Sequence, residues 1–291
     1  MSSSGELGDW RDLITRALAE DIGNGDVTSE AIVPADAMAR AVIVQKQPGV
    51  IFGLGVAAEV FRQVGAAELD RMQNEGEMHD DVPLEIAVIS GSARALLAGE
   101  RVAINLLGRL SGIATLTAAY VAAAKSKGGT ATVLDTRKTT PGLRELEKAA
   151  VRAGGGRNKR MGLYDAILIK ENHIALAGGD LEEAVTRARA AFPDLRVEIE
   201  CRNVGEVEAA LASGAEHLLL DNMGLEGLIA CVAARNEHAE RTGDRPDLEA
   251  TGGVNLDSIG DISATGVEFV SVGALTHSAT TLDLSMLLEP A

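Results

Sequence analysis

Short apolar segments and helical segments alternate through the second half of this chain, and this alternation limits its fold more than any other feature. The apolar runs recur from about residue 130, and helical patterns fall between most of them. Parallel strands joined by crossover helices produce this pattern. We predict strands at 131–136, 166–170, 196–201, 217–222, 248–251 and 268–272.

Residues that cap helices support the same interpretation. Asp180 and Asn203 each precede a helical run, and a glutamate follows each of them three residues later, which is the capping-box pattern. Gly214 and Gly266 stand where glycines commonly end helices. The number of strands, without an early glycine-rich dinucleotide motif, favours a (β/α) barrel over a Rossmann sheet.

The first part of the chain has a different pattern, with short and mixed elements. Residues 9–20 and 54–64 have helical patterns, whereas 38–46 and 83–90 resemble strands. This mixture predicts a small α+β domain with a mostly antiparallel sheet. We therefore divide the chain into an N-terminal α+β sandwich domain over residues 1–112 and a (β/α) barrel over 113–275, and we expect the tail 276–291 to pack back on the first domain.

The most apolar window covers residues 102–124. It contains Arg109 and several other polar residues, which makes it too polar for a comfortable membrane span. We expect a buried helix here, and Gly108 and Gly112 are the positions where it could break.

Composition limits the partners and the compartment. The chain has 43 acidic and 27 basic residues, and its net charge of −16 argues against nucleic-acid or anionic-membrane binding. Cys201 and Cys231 are too few for a disulfide framework, so we expect reduced thiols and a cytoplasmic protein. The first residues lack the pattern of a signal peptide.

Polar residues gather at the ends of the predicted barrel strands, where the active sites of such barrels lie. Nine of the 27 basic residues fall within 135–171, a local reversal of charge in an acidic chain. Those at strand ends should face a polyanionic ligand. They are Arg137, Lys138 and Lys170.

Two acids and two glycine loops follow later strands. Glu200 and Asp221 suggest a hydrated Mg²⁺ ion or ribose hydroxyls, and the alternative is ion pairing with neighbouring lysines. Glycines after the last two strands, at 252–253 and 271–273, would let backbone N–H groups approach a phosphate. The alternative for these glycines is tight turns alone.

Several segments resemble the quinolinate phosphoribosyltransferase family, which is also called nicotinate-nucleotide pyrophosphorylase. The longest is LDTRKTTPGLRELEKAAVRAGGGRNKRMGLYDAILIKENHI at 134–174. Further similar segments are ALAEDIGNGDVTSEAI, GERVAINLLGRLSGIAT, LLLDNM, LEATGGV and VSVGALTHS. The resemblance runs through nearly the whole chain.

The resemblance implies a type II phosphoribosyltransferase with an N-terminal α/β sandwich and an open (β/α) barrel, assembled as a homodimer or a higher oligomer. It implies the Mg²⁺-dependent transfer of phosphoribosyl from phosphoribosyl pyrophosphate to quinolinate with decarboxylation, a step of NAD biosynthesis. Quinolinate would contact Arg137, Arg160, Lys170 and, across the dimer interface, Arg101. We add Lys159, beside Arg160, as a further cation for a quinolinate carboxylate.

The same resemblance assigns the residues for phosphoribosyl pyrophosphate. Lys138, Glu200 and Asp221 would be catalytic and would bind this substrate, and the two acids would also bind Mg²⁺, directly or through water. The 5′-phosphate would lie at Gly252, Gly253, Ser271 and Gly273.

One position departs from the family pattern: Lys159 stands where the family usually has histidine. Lysine keeps a positive charge there but lacks the planar, titratable ring. The substitution leaves two alternatives open, namely another pyridine or aromatic acid as substrate, or a non-catalytic paralogue. A third alternative is a Schiff-base lyase that uses Lys170.

Overall fold

The computed structural model describes residues 10–66 and 69–291, and these divide into two compact units. The first unit holds the chain up to residue 118 together with 139–155 and 275–291, and the second holds 119–138 and 156–274. The helices and strands follow each other in this order: α1 (Trp10–Ile22), α2 (Val27–Ile32), β1 (Met38–Gln45), β2 (Gly49–Val50), α3 (Leu54–Gln63), β3 (Leu69–Arg71), β4 (Met78–His79), β5 (Leu84–Ser92), α4 (Ala93–Lys125), β6 (Thr132–Leu134), α5 (Arg144–Ala153), β7 (Ile167–Ile169), α6 (Glu171–Leu176), α7 (Leu181–Ala191), β8 (Val197–Cys201), α8 (Val204–Ala212), β9 (His217–Asp221), α9 (Leu225–Thr242), β10 (Asp247–Thr251), α10 (Ile259–Ala264), β11 (Phe269–Ser271), α11 (Ala274–His277) and β12 (Leu284–Pro290).

The first unit contains a four-stranded sheet in the order β12-β1-β5-β3, in which every pair is antiparallel. The last strand of the chain therefore lies beside the first, with Ile43 opposite Met286. Alternate residues of β1 point into the core, because Ala39, Ala41 and Ile43 are buried. Strands β2 and β4 form a separate antiparallel pair.

Helix α4 runs without interruption, so the predicted break near Gly108 or Gly112 is wrong. These glycines instead allow the C-terminal segment to cross the helix closely. A Cβ atom on Gly112 would lie 1.9 Å from the carbonyl oxygen of Thr280, and one on Gly108 would lie 2.8 Å from Cγ2 of Thr281. Their purpose is close packing rather than a kink.

Helix α4 is also long and apolar enough to cross a membrane by length and composition alone. However, 61% of its most apolar 18-residue window is buried inside the protein. The core helix of a globular protein passes the same length test, so this segment is weak evidence for a membrane span.

The second unit is built on a six-stranded parallel sheet in the order β6-β11-β10-β9-β8-β7. The last strand of this unit, β11, lies beside its first strand, β6. This strand order is that of a barrel that is open between β6 and β7. The predicted strands lie within two residues of those observed. The structure confirms the predicted fold class.

The cap residues behave as predicted. The side chains of Asp180 and Asn203 accept hydrogen bonds from the third residue of their helices, each at 3.0 Å. Gly214 and Gly266 have φ angles of 75° and 98°, which glycine adopts without strain. All strand pairs in this sheet are parallel, so the carboxyl ends of the six strands lie along one edge.

Candidate active site

A cavity of about 290 Å³ lies at the carboxyl edge of the six-stranded sheet. Its wall is formed by residues of the strands and of the loops that adjoin them, and all of these residues belong to the second unit. The lining residues are Thr136, Arg137, Lys138, Lys159, Arg160, Leu168, Lys170, Glu200, Leu219, Asp221, Glu249, Thr251 and Ser271.

A larger cavity of about 600 Å³ lies in the first unit, at α1, α2 and the start of α4. Its lining has one cationic side chain, Arg94, among the residues that the structure describes. That guanidinium already donates to the carbonyl oxygens of Val33 and Glu30. The cavity of the second unit is the smaller of the two, but its charged side chains make it the candidate active site.

Five of the lining residues are cations. Arg137 and Lys138 follow β6, and Lys170 directly follows β7. Burial and the nearby charge of Arg137 lower the pKa of the Arg160 guanidinium, although Glu198 and Asp165 oppose this shift. Two cations that repel each other inside a cavity favour a ligand with negative charge.

The two predicted acids have different surroundings. Glu200 forms an ion pair with Lys170. This is the pairing with a neighbouring lysine that the sequence left open as the alternative to ligand binding. Asp221 ends β9 with a half-buried side chain and accepts a hydrogen bond from Nδ2 of Asn222 at 3.1 Å. Both carboxylates line the cavity, so both can reach a bound ligand.

The first glycine loop exposes its backbone. Gly252 and Gly253 have φ angles of 89° and 63° and follow β10 at the same edge. A Cβ atom on Gly252 would lie 2.3 Å from Oδ1 of Asn222, so a side chain there would displace that amide. These glycines fit both a tight turn and close approach by a phosphate.

The second loop begins at Ser271, whose hydroxyl donates to the carboxylate of Glu249. A hydroxyl has one proton to donate, so a phosphate at this loop would have to meet backbone N–H groups instead. Gly273 follows two residues later. The role predicted for these two residues stays a prediction.

A buried charge cluster forms the base of the cavity. Lys159 forms an ion pair with Glu249, and its Nζ atom lies 3.3 Å from Oε2 of Glu198. The side chain of Glu249 is 1% exposed. The direct contact with quinolinate that we predict from the sequence for Lys159 stays a prediction, and the ammonium already has internal partners.

The sequence analysis missed Glu198 and Glu249. Both occupy interior positions of strands, in VEIEC and DLEAT. Alternate residues of a strand share a face, so Glu198 lies on the same face as Glu200, and Glu249 on the same face as Thr251. This period of two was the signal that could have found them.

Buried Asp135 fixes the loop that carries Lys159. Its carboxylate accepts hydrogen bonds from the amide Nδ2 of Asn158 at 2.5 Å and from the backbone N–H of Lys159 at 2.9 Å. We assign no chemical role to Cys201. Burial raises the pKa of its thiol to about 12, so the thiol stays protonated.

Arg101 belongs to the first unit and lies on the exposed face of α4. Its side chain is 62% exposed, and its nearest ion-pair partner is the adjacent Glu100 at 3.7 Å. It is not among the described residues that line the cavity. The role across a dimer interface that the resemblance implies for Arg101 stays a prediction.

Comparisons with known proteins agree along nearly the whole chain. Residues 26–111 match the quinolinate phosphoribosyl transferase N-terminal domain, and residues 113–287 match the C-terminal domain of the same family. The nicotinate-nucleotide pyrophosphorylase (carboxylating) of Mycobacterium leprae (strain TN) is 41% identical over 291 residues, which cover 98% of this chain and 99% of that protein.

Two further relatives support the match. The probable nicotinate-nucleotide pyrophosphorylase (carboxylating) of Bacillus subtilis (strain 168) is 40% identical, over 94% of this chain and 91% of that protein. The crystal structure of NadC from Streptococcus pyogenes superposes with a TM-score of 0.89 at 37% identity, and the match covers 99% of this chain and 100% of that one.

An open parallel barrel with a cation-rich cavity at the carboxyl edge of its strands defines a barrel enzyme that binds anionic substrates. Within that class, the chain belongs to the quinolinate phosphoribosyltransferase family. The predicted family membership is confirmed.

Proposed function

We propose that this protein transfers the phosphoribosyl group of phosphoribosyl pyrophosphate to quinolinate and releases nicotinate mononucleotide, pyrophosphate and CO₂. This is a step of NAD biosynthesis. One observation carries the proposal: five cations and three acids line one cavity at the carboxyl edge of the parallel sheet in a chain of net charge −16. Quinolinate and phosphoribosyl pyrophosphate are both polyanions, so the local charge matches them.

The two carboxylates of quinolinate are bound by Arg137, Arg160 and Lys170, and by the partner subunit's Arg101. The guanidinium groups can make forked contacts with a carboxylate. Lys170 has three N–H donors, so it can hold Glu200 and still donate to a ligand. The partner is needed because Arg101 is exposed and lies outside the cavity lining.

Phosphoribosyl pyrophosphate lies toward the other strand ends. Lys138 contacts its pyrophosphate, and Glu200 and Asp221 face the ribose. The backbone at Gly252 and Gly253, and the loop from Ser271 to Gly273, receive the 5′-phosphate. The exposed backbone and positive φ angles of the first loop support this assignment.

A Mg²⁺ ion fits this site only together with the substrate. The described residues contain no group of three or more histidine, cysteine, aspartate or glutamate side chains that could hold a metal ion. Mg²⁺ commonly binds through one or two carboxylates, waters and substrate phosphates, and Glu200 and Asp221 can supply the carboxylates. When bound, the ion would neutralise charge on the leaving pyrophosphate.

The chemistry follows from the charges. Cleavage of the bond between C1 and pyrophosphate develops positive charge on the ribose, which the carboxylates of Glu200 and Asp221 stabilise. Lys138 stabilises the negative charge of the leaving group. The pyridine nitrogen is the nucleophile. The ribosylated ring then stabilises the electron pair left when the adjacent carboxylate leaves as CO₂, and a proton from water takes the place of that carboxylate on the ring carbon.

The proposed assembly is a homodimer, because the dicarboxylate site needs Arg101 from a second copy. The proposed compartment is the cytoplasm. Both cysteines are free and buried, as expected for a reducing compartment.

A product assay tests the proposed function. The purified protein is incubated with Mg²⁺, phosphoribosyl pyrophosphate and quinolinate, and nicotinate mononucleotide and CO₂ are quantified. We expect equal amounts of the two products and none when either substrate is omitted. Release of CO₂ without the mononucleotide, or no product at all from folded protein, would contradict the proposal. Loss of activity after borohydride reduction with a carbonyl substrate would instead indicate Schiff-base chemistry at Lys170.

A further inference from the structure

The ammonium group of Lys159 is directed into the protein. Its side chain is 11% exposed, it forms an ion pair with Glu249, and it lies 3.3 Å from Oε2 of Glu198. That Oε2 atom is buried and has no hydrogen-bond partner among the described residues. The ammonium group of Lys159 therefore lies close to two buried carboxylates, those of Glu249 and Glu198.

The other partners of Glu249 are neutral. Ser271 donates its hydroxyl proton to Oε1, and Nε2 of His217 lies 2.6 Å from Oε2. Nδ1 of His217 lies 2.8 Å from Nη2 of Arg196, and a guanidinium can only donate. Nδ1 must therefore accept, which places the proton of a neutral imidazole on Nε2, where it is donated to Glu249.

The charge of Glu249 is therefore balanced by Lys159. Burial alone would raise the pKa of this carboxyl, but the hydrogen bond from His217 and the charge of Lys159 outweigh burial and hold the pKa below its ordinary value. Without Lys159, a buried anion would remain at the base of a cavity that we assign to two anionic substrates. Such a charge would be costly in itself and would repel both ligands.

We propose that Lys159 is a positioning residue that neutralises Glu249 and Glu198 at the base of the active site, and that it does not contact quinolinate. This inference rests on the proposed function for the identity of the substrates. An extended ammonium with three donors can serve two carboxylates, which is a physical reason for lysine at this position. Glu249 in turn accepts a hydrogen bond from the Ser271 hydroxyl, so Lys159 also acts, through Glu249, on the loop from Ser271 to Gly273.

Removal of charge at both partners tests this role. Lys159→Met keeps the length of the side chain and removes its charge, whereas Glu249→Gln removes the charge that needs neutralising. In the double variant, the glutamine amide can accept from His217 and donate to the hydroxyl of Ser271. The matched control is Lys127→Met with Asp261→Asn, because Lys127 and Asp261 form an exposed ion pair in the same unit.

We expect Lys159→Met to lower the melting temperature and to raise the KM of both substrates by about tenfold, as an uncompensated buried charge would. Adding Glu249→Gln should restore part of the melting temperature and of both KM values, because Glu198 still keeps its charge. The control variants should leave all three quantities nearly unchanged. Calorimetric titration with phosphoribosyl pyrophosphate gives a binding readout that needs no turnover.

Two results would overturn the proposal. One is a Lys159→Met variant that loses affinity for quinolinate alone and is not rescued by Glu249→Gln, since that pattern indicates direct contact with the dicarboxylate. The other is a double variant no more stable than Lys159→Met, including the case in which neither folds. If the wild type does not turn over quinolinate, the proposed function fails, whereas the melting temperatures and the calorimetric titration still decide the role of Lys159.

Discussion

Each unit of the protein buries a carboxylate that is paired with a cation, Glu147 in the first unit and Glu249 in the second, and the two are neutralised in different ways. In the first unit, Glu147 accepts from Arg109 at 2.8 Å and from the backbone N–H and hydroxyl of Thr140 at 3.1 and 2.8 Å. Arg109 also donates to the carbonyl oxygens of Thr276 and Ala279. In the second unit, Glu249 is held by side chains alone, those of Lys159, His217 and Ser271.

The difference indicates what each buried charge does. The bonds of the Arg109–Glu147 pair end on backbone groups of separate chain segments, so the pair fixes the fold of the first unit. The bonds of Glu249 end on residues that line or adjoin a cavity, so that cluster shapes a binding site. Loss of the first pair should appear in stability, and loss of the second in ligand affinity as well.

The largest expected effect is on the stability of the first unit. Arg109→Met leaves Glu147 buried without its cation, and we expect a loss of about 3–5 kcal/mol in the free energy of unfolding. Chemical denaturation measures this loss. The control Lys46→Met removes an exposed pair with Asp283 and should change little. Equal effects of the two substitutions would show that burial of Glu147 is not costly.

The next effect is on catalysis in the second unit. Lys138 is exposed at the end of β6, so Lys138→Ala should leave the melting temperature unchanged. We expect kcat to fall by about 10²–10³, because a charge that stabilises the leaving pyrophosphate is lost. Lys127→Ala serves as the control on an exposed lysine. A kcat within twofold of wild type would remove Lys138 from the proposed mechanism.

Mixing of inactive chains tests whether Arg101 acts in a second copy. Arg101→Ala and Lys138→Ala chains are each expected to be inactive. After subunit exchange, mixed dimers contain one site with both native residues, so about a quarter of the native sites should return. Exchange is confirmed by mass spectrometry of tagged chains. No recovery after confirmed exchange would mean that each chain builds its own site.

The smallest effect concerns a third carboxylate, whose partner is exposed. Hydrogen bonds from Arg62 lower the pKa of Glu59 to about 2, against the effect of burial. A lowered pKa stabilises the fold above the ordinary value of about 4.5, and this contribution is lost as the pH falls toward 2. Because Arg62 is 68% exposed, water screens the pair, and we expect only about 1 kcal/mol.

Unfolding of Glu59→Gln and of wild type, followed from pH 7 to pH 2, measures this contribution. The difference between the two proteins should be present at pH 7 and should disappear near pH 2. A difference that is constant with pH would assign it to packing rather than to charge.

The strands and caps of the second unit could be predicted because each depends on local sequence. Apolar runs, cap residues and C-terminal glycines mark element boundaries within a few residues. The glycines of α4 could not be interpreted in this way, since their reason is Thr280 and Thr281, about 170 residues further along the chain. Close approach between distant segments leaves no local signal.

The candidate site was predictable in part for the same reason. Lys138, Lys170 and Asp221 stand at strand ends, and the parallel topology brings these ends together. The partners of Lys159 were not predictable from spacing, because Glu198 and Glu249 belong to two other strands. Whether a cation is available to a ligand depends on such contacts across the sheet.

Parallel assays with quinolinate and nicotinate test the central claim most directly, namely that the cavity of the second unit binds a dicarboxylate. Nicotinate lacks one carboxylate, so the cations of the cavity would make fewer charge-assisted hydrogen bonds to it. With phosphoribosyl pyrophosphate and Mg²⁺ present, we predict a kcat/KM for quinolinate at least about 10³-fold above that for nicotinate. Equal values for the two acids would contradict the account.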